Sequence, residues 1–228
     1  MKKLVVFTGA GISQESGLKT FRDEDGLWEK YNIEEVATID AWHSNQSLVL
    51  QFYNERRTQA LAAQPNSAHF VLAQLENSFD VQIITQNIDN LHERAGSTNV
   101  LHLHGMIDYA RSCKTGKQIE LKGKDILLGD LCEEGHQLRP DIVWFGEEVP
   151  NMEIAAKLVE EADILLVVGT SLNVYPAAGL IHVAPDKIQK FVVDPNLHKV
   201  NNTKNLTIIN KKATDGLPLV ASMLLESD

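Results

Sequence analysis

Residues 5–28 read VVFTGAGISQESGLKTFRDEDGLW, and the reading of this stretch decides the fold. It enters on an unbroken apolar and β-branched run, Leu4, Val5, Val6, Phe7 and Thr8, the pattern of a strand buried on both faces. The run breaks at Gly9-Ala10-Gly11 and continues through residues able to open a helix, 12–16. A glycine turn between strand and helix lets backbone N–H groups approach a pyrophosphate, with the partial positive charge of the helix N-terminus behind them. A tight structural turn has the same look. The third glycine of the usual dinucleotide fingerprint is missing, because Gln14 stands in its place.

Outward from this turn the chain alternates strands and helices. Residues 46–63 hold neither glycine nor proline and carry apolar side chains at helical spacing, among them Leu48, Val49, Phe52, Tyr53, Ala60 and Leu61. Pro65-Asn66-Ser67 ends that helix and caps the next, which runs to Glu76. Strands are expected at 81–85, 100–104, 164–168, 191–194 and 206–209. Helices are expected at 89–95, 152–161, 175–183 and 215–224. This alternation predicts an α/β fold, a Rossmann-like doubly wound parallel sheet. Residues 107–138 differ in texture, being rich in Lys, Gly, Asp and Glu, and read as a small inserted lobe. Residues 31–65 read as a helical insertion, and 1–228 as a single domain.

Composition narrows the function classes. A chain of 228 residues with a hydrophobic fraction of 43% can bury one sizeable core. No apolar run is long enough for a membrane span, and MKKLVVFTGA breaks into glycine too early for a signal peptide. Two cysteines cannot build a disulfide framework and fit a reducing cytoplasm. A net charge of −10 disfavours a non-specific nucleic-acid binder and suits lysine-bearing protein partners.

Several residue groups can carry chemistry. In Leu101-His102-Leu103-His104-Gly105, strand alternation places both histidines on one face, with a glycine at the strand end where ligands bind in open α/β sheets. Gln86-Asn87-Ile88-Asp89 follows an apolar strand. Its amide and carboxylate groups can orient ribose hydroxyls and a carboxamide, or can cap the following helix. Gly169-Thr170-Ser171 and Asp194-Pro195-Asn196 also follow strands and can approach a phosphate or ribose, or can be plain turns.

Five ordered blocks resemble the sirtuins, the NAD-dependent protein-lysine deacylases. They are GAGIS with ESGL, FR and GLW; TQNIDNLHERAG over 85–96; LHLHG over 101–105; PDIVWFGE over 140–147; and VGTSLNVYPAAGL over 168–180. The resemblance implies NAD as cofactor and acylated-lysine proteins as partners, with no nucleic acid and no membrane. It selects His104 as the catalytic histidine, with Asn87 beside the reacting ribose and Asp89 on the nicotinamide carboxamide. Gly9, Ala10, Gly11, Ile12, Ser13, Phe21, Arg22 and Trp28 would cradle NAD. So would Gln86, Ile88, Gly169, Thr170, Ser171, Asp194, Asn196 and Ala213. Phe145, Gly146 and Glu147 on one edge, and Asn173, Val174 and Tyr175 on the other, would clamp an extended peptide by strand addition. Many sirtuins have Pro-Asp where this chain has Lys19-Thr20.

The resemblance also implies a departure and a specificity. Sirtuins usually hold a structural zinc with two C-x-x-C pairs, a closed tetrahedral site. Here Cys113 and Cys132 are the only cysteines, with His136 nearby, so zinc loss is expected and the lobe should pack on Ile119, Leu121, Ile126, Leu127 and Leu128. On the helix over 46–63, Tyr53 and Arg56 share a face, and Tyr-x-x-Arg resembles the signature of the desuccinylase and demalonylase branch. The expected activity is deacylation of acetyl-, succinyl- or malonyl-lysine, releasing nicotinamide and O-acyl-ADP-ribose. A protein ADP-ribosyltransferase and a non-catalytic NAD-binding regulatory module are the alternatives.

Overall fold

A computed structural model describes residues 1–19, 31–197, 199–201 and 203–226. In chain order its elements are β1 Lys3–Thr8, α1 Gly11–Gln14, α2 Ile33–Val36, α3 Ile39–Ser44, α4 Gln46–Ala62, α5 Ser67–Leu75, β2 Asp80–Thr85, α6 Leu91–Arg94, β3 Val100–His102, β4 Gly105–Ser112, β5 Gln118–Glu120 and β6 Leu138–Ile142. They continue with α7 Met152–Glu160, β7 Ile164–Val168, a 3₁₀ turn Ala177–Gly179, α8 Leu180–Val183, β8 Gln189–Val193, β9 Leu206–Ile209 and α9 Ala213–Glu226. No helix among the described residues is long and apolar enough to cross a membrane.

Six strands form one parallel sheet in the order β3-β2-β1-β7-β8-β9. The apolar runs of the sequence are continuous because both faces of this sheet are covered. On one face Leu4, Val6, Ile83, Leu166 and Phe191 pack under α5 and α9 with Leu72, Leu217 and Val220. On the other, Val5, Phe7, Ile84, Leu165 and Val167 pack under α7 and α8 with Val159, Leu180 and Ile181. Each such side chain contributes about 1.5–3 kcal/mol by leaving water. The chain reverses direction of winding between β1 and β7, and that break in strand order opens a crevice at the C-terminal edge.

The inserted segments build a second lobe around β5-β4-β6, an antiparallel sheet. Residues 31–65 and 107–138 share its core: Trp42, Phe52 and Tyr53 from the first pack with Ile107, Ala110 and Ile126 from the second, and with Trp144. Arg57, fully buried, fastens them. Its Nε donates to the Ile107 carbonyl at 2.8 Å and a terminal nitrogen to Asn54 Oδ1 at 2.6 Å, while Asn54 pairs with the backbone of Ile126 through both its amide atoms.

Several expectations are corrected. The strand expected over 100–104 stops at His102, and the helix expected over 175–183 is a 3₁₀ turn followed by the single turn of α8. The helix expected over 89–95 begins at Leu91, because the Asp89 carboxylate accepts the Leu91 N–H at 3.2 Å. In the lobe Leu121 and Ile126 are buried, but Leu127 and Leu128 are 60% and 57% exposed. Their loop is held by polar groups instead: Gln137 accepts from the Gly129 N–H and donates to the Leu127 carbonyl, and Asp130 accepts from the Leu127 N–H. Among the described residues no cluster of three His, Cys, Asp or Glu side chains could hold a metal ion. The Cys132 thiol instead meets Ser112 Oγ at 3.5 Å, and that hydroxyl also accepts from the backbone of Lys114 and Thr115.

Under the main sheet, His69 is completely buried and its Nδ1 accepts the Asn66 N–H in the capping box of α5. Burial, opposed in part by Glu93, lowers its pKa to about 4 from 6.5. A histidine with a depressed folded pKa binds fewer protons folded than unfolded between those values, so stability falls as pH drops from 6.5 toward 4. The loss expected from His69 is about 3 kcal/mol. Urea unfolding at pH 7 and pH 4.5 checks this: His69→Gln, which keeps an acceptor for Asn66, should flatten the slope, and an unchanged slope contradicts the assignment.

Candidate active site

The crevice between β1 and β7 widens into a cleft of about 670 Å³ at the joint of the two lobes. Its floor is made by the ends of β2, β1, β7 and β8, three strand spacings or about 14 Å across, a span suited to a dinucleotide lying along the sheet edge. The glycines at this floor have a packing reason. A Cβ on Gly11 would come within 2.7 Å of Gly169 Cα, and one on Gly9 within 2.8 Å of the Gly169 carbonyl. The two strand-end turns therefore cross backbone to backbone, joined by the Gly11 N–H to the Gly169 carbonyl at 2.9 Å. The absent third glycine is not needed for this crossing. Gln14 lines the cleft, whereas Ile12, expected to cradle NAD, is not among the lining residues: its side chain lies in the core, its N–H donates to the Gly9 carbonyl and its carbonyl accepts from the Asn66 amide.

At the β2 end the polar residues form one hydrogen-bonded set. Asn87 is clamped at three points. Its N–H donates to Thr85 Oγ1 at 3.0 Å, its side-chain amide donates to Ser13 Oγ at 3.1 Å, and its carbonyl lies 2.9 Å from His102 Nδ1. Thr85 is itself braced by Thr8 across the sheet, and Thr8 by His92. Gln86 reaches across to Thr170 Oγ1 at 3.2 Å. Asp89 is 6% exposed. Burial raises its pKa, against the Leu91 N–H, the Ser13 hydroxyl and the charges of His102 and Arg56.

His104 follows β3 rather than belonging to it. Gly105 (φ +80°) makes this possible, since a Cβ there would fall 1.9 Å from the Asp141 carbonyl and block the pairing of β4 with β6. The His104 Nδ1 sits 3.0 Å from the Gln86 carbonyl. A carbonyl only accepts, so Nδ1 carries the proton and Nε2 is left as the basic nitrogen. Burial lowers the His104 pKa from 6.5, opposed by that carbonyl, so the ring is neutral near pH 7. His102 differs: both its nitrogens are occupied, by Asn87 and by Glu93 Oε1 at 2.8 Å.

The residues expected to form the two peptide edges lie at the cleft mouth. Phe145 is 48% and Tyr175 71% exposed, with Gly146, Asn173 and Val174 also at the rim. Glu147 lines the cleft, yet its carboxylate is engaged by Arg139 at 2.7 and 2.9 Å, by Arg111, and by the Trp144 N–H. It therefore shapes the Trp144–Glu147 turn, with the Arg139 guanidinium stacked 3.3 Å from the Trp144 ring. Deeper in the smaller lobe, Tyr53 accepts from Trp144 Nε1 at 3.0 Å and keeps its own hydroxyl proton to donate. Arg56, whose pKa is lowered by burial against Asp89 and Tyr53, lines the same space with Phe52, Ile33 and Ala37.

Ala10, Ser13, Ile88, Ser171, Asp194, Asn196 and Ala213 also line the cleft. Phe21, Arg22 and Trp28 lie outside the described residues. The sequence reading missed Lys212, Pro195 and Val143 as lining residues. Val143 sits inside the quoted PDIVWFGE block, whereas Lys212, in a loop before the last helix, carried no local signal. It also passed over the bracing residues Thr8, Thr85, His92 and Glu93.

With this geometry in place, comparison with known proteins gives one answer. A family profile described as "Sir2 family" matches residues 9–176. The chain is 46% identical over 231 residues to an NAD-dependent protein deacylase of Bacteroides thetaiotaomicron, covering 99% of each chain. A solved complex of a Sir2 homologue mutant with ADP-ribose superposes with a TM-score of 0.90 at 36% identity, over 99% of this chain and 93% of that one. A Sir2 complex with a deacetylated p53 peptide and 3′-O-acetyl ADP-ribose superposes with a TM-score of 0.82 at 33% identity, over 96% and 92%.

Proposed function

The chain belongs to the Sir2 family, and from that premise we propose that it is an NAD-dependent protein-lysine deacylase working in the cleft at its sheet edge. The observation that carries the reading is the placement of His104, with a fixed tautomer and a basic Nε2, in the same cleft as Asn87 and Asp89. The cleft fits NAD: backbone crosses closely at Gly9, Gly11 and Gly169 for the phosphates, carboxamide partners stand at the β2 end, and Asp194 and Asn196 stand at the β8 end for a ribose.

Bound NAD supplies an electrophilic ribose carbon and a departing nicotinamide. Asp89 would accept from the carboxamide, and Asn87, immobilised by Thr85, Ser13 and His102, would hold the ribose side. The acyl-lysine carbonyl oxygen would bond to the ribose carbon as the nicotinamide bond breaks, His104 would take a proton at Nε2 from the ribose hydroxyl that adds to the acyl carbon, and one water would complete release of the lysine amine with the acyl group left on the ribose. The rims at Phe145–Gly146 and Asn173–Tyr175 receive the peptide as an added strand, and the apolar walls around Phe52 and Trp144 exclude water from the acyl-lysine. Tyr53 and Arg56 stand where the far end of an acyl chain would lie and favour a terminal carboxylate.

The test is incubation with NAD and an acylated peptide. Nicotinamide release that requires the acyl group supports the reading. Transfer of ADP-ribose onto protein makes it a transferase, and unconsumed NAD makes it a binding module.

A further inference from the structure

We infer that His102 is a positioning residue of this site, held as an imidazolium between Glu93 and the Asn87 carbonyl so that a fixed positive charge braces the nicotinamide end of the cleft. The inference rests on the deacylase reading for its role and on geometry for the charge. His102 closes β3 and its side chain is 8% exposed. Its Nδ1 lies 2.9 Å from the Asn87 carbonyl, an obligate acceptor, so Nδ1 carries a proton. Its Nε2 lies 2.8 Å from Glu93 Oε1. With Nδ1 protonated, a neutral ring would set the Nε2 lone pair against a carboxylate oxygen at hydrogen-bond distance, so a second proton lies between them. Imidazole is the more basic of the two partners, so that proton sits on the ring, both ring nitrogens donate, and the ring is cationic.

The groups facing it are few. From α6 come Glu93 and His92, and from the loop before α6 comes Asp89. Arg56 on α4 acts on Asp89 from the other side. Burial lowers the His102 pKa, but the Glu93 bond and charge, the Asn87 carbonyl and the Asp89 charge together leave it raised. His92, buried beside this cation and beside His69, is held well below 6.5 and stays neutral. The consequence reaches the site through two routes. The bond to the Asn87 carbonyl is one of the three clamps on that residue, and the positive charge favours the ionised form of Asp89 against the burial that raises its pKa. A histidine that merely filled space would do neither.

The test uses the full chain with ¹⁵N-labelled histidine. The His102 titration midpoint should lie above 6.5, with both ring nitrogens protonated below it, and Glu93→Gln should bring the midpoint down. In kinetic assays Glu93→Gln should raise the KM for NAD and weaken nicotinamide inhibition by about tenfold, the loss of one charge-assisted hydrogen bond, with the KM for acylated peptide within about twofold of the wild type. A His102 midpoint at or below 6.5, or an unchanged KM for NAD in Glu93→Gln, overturns the inference. The wild-type spectrum requires no variant and no turnover. A protein that shows the imidazolium but never consumes NAD would overturn the deacylase reading and leave the charge assignment standing.

Discussion

His104→Ala is expected to lower deacylation by about 10²–10⁴-fold, the usual contribution of a positioned general base, while NAD binding and the unfolding midpoint stay near the wild type. The side chain is not part of the sheet core; its one hydrogen bond among the described residues is to the Gln86 carbonyl. The pH dependence follows the same residue. A general base works deprotonated, and burial holds the His104 pKa below 6.5. The acid limb of kcat/KM should therefore have its midpoint below 6.5, and activity should be level from there through neutral pH. In His104→Ala the residual rate should lose that limb. Full activity in the variant, or an acid limb centred above 6.5, would remove His104 from the role of base.

The second large effect concerns the acyl group. Arg56→Met should depress desuccinylation by about ten- to a hundredfold, the worth of a hydrogen bond from a charged donor, and should leave deacetylation within about threefold of the wild type. Two features support the split. Arg56 lines the cleft beside Phe52 and Tyr53, where burial lowers its pKa and one guanidinium nitrogen is held by the Lys19 carbonyl at 3.2 Å, so a carboxylate placed there would meet a desolvated cation. Tyr53, whose hydroxyl accepts from Trp144, has its remaining proton available for a carboxylate. An acetyl group reaches neither. Steady-state rates on one peptide carrying either acyl group decide the matter. Equal losses on both, or a wild type indifferent to succinyl-lysine, return Arg56 to a structural part in the lobe.

Much of the fold was legible because a parallel sheet covered on both faces demands continuous apolar runs, and Leu4–Phe7, Ile83–Ile84 and Ile164–Val168 are such runs. The cleft was legible for a related reason: polar or small residues that directly follow a buried strand must lie at the sheet edge. What was not legible depends on partners distant in sequence. The core shared by Phe52, Ile107 and Trp144 joins segments that local periodicity reads separately. Glu147 looked like a substrate contact, and only the fold shows Arg139 occupying both its oxygens. The two histidines of Leu101-His102-Leu103-His104 are equivalent by alternation. They are told apart by Glu93, one turn into α6, and by the backbone bend at Gly105. The exposed Leu127 and Leu128 misled because composition cannot reveal that Gln137 and Asp130 hold that loop by its backbone.

The most direct test of the account follows the acyl group itself. Wild-type protein, NAD and a succinyl-lysine peptide are incubated together and the products weighed by mass spectrometry. The account predicts free lysine peptide, nicotinamide and O-succinyl-ADP-ribose in equal amounts, with free lysine peptide and O-succinyl-ADP-ribose formed about 10²–10⁴-fold more slowly in His104→Ala. Free succinate without loss of NAD, or ADP-ribose attached to protein with the peptide still acylated, would contradict it.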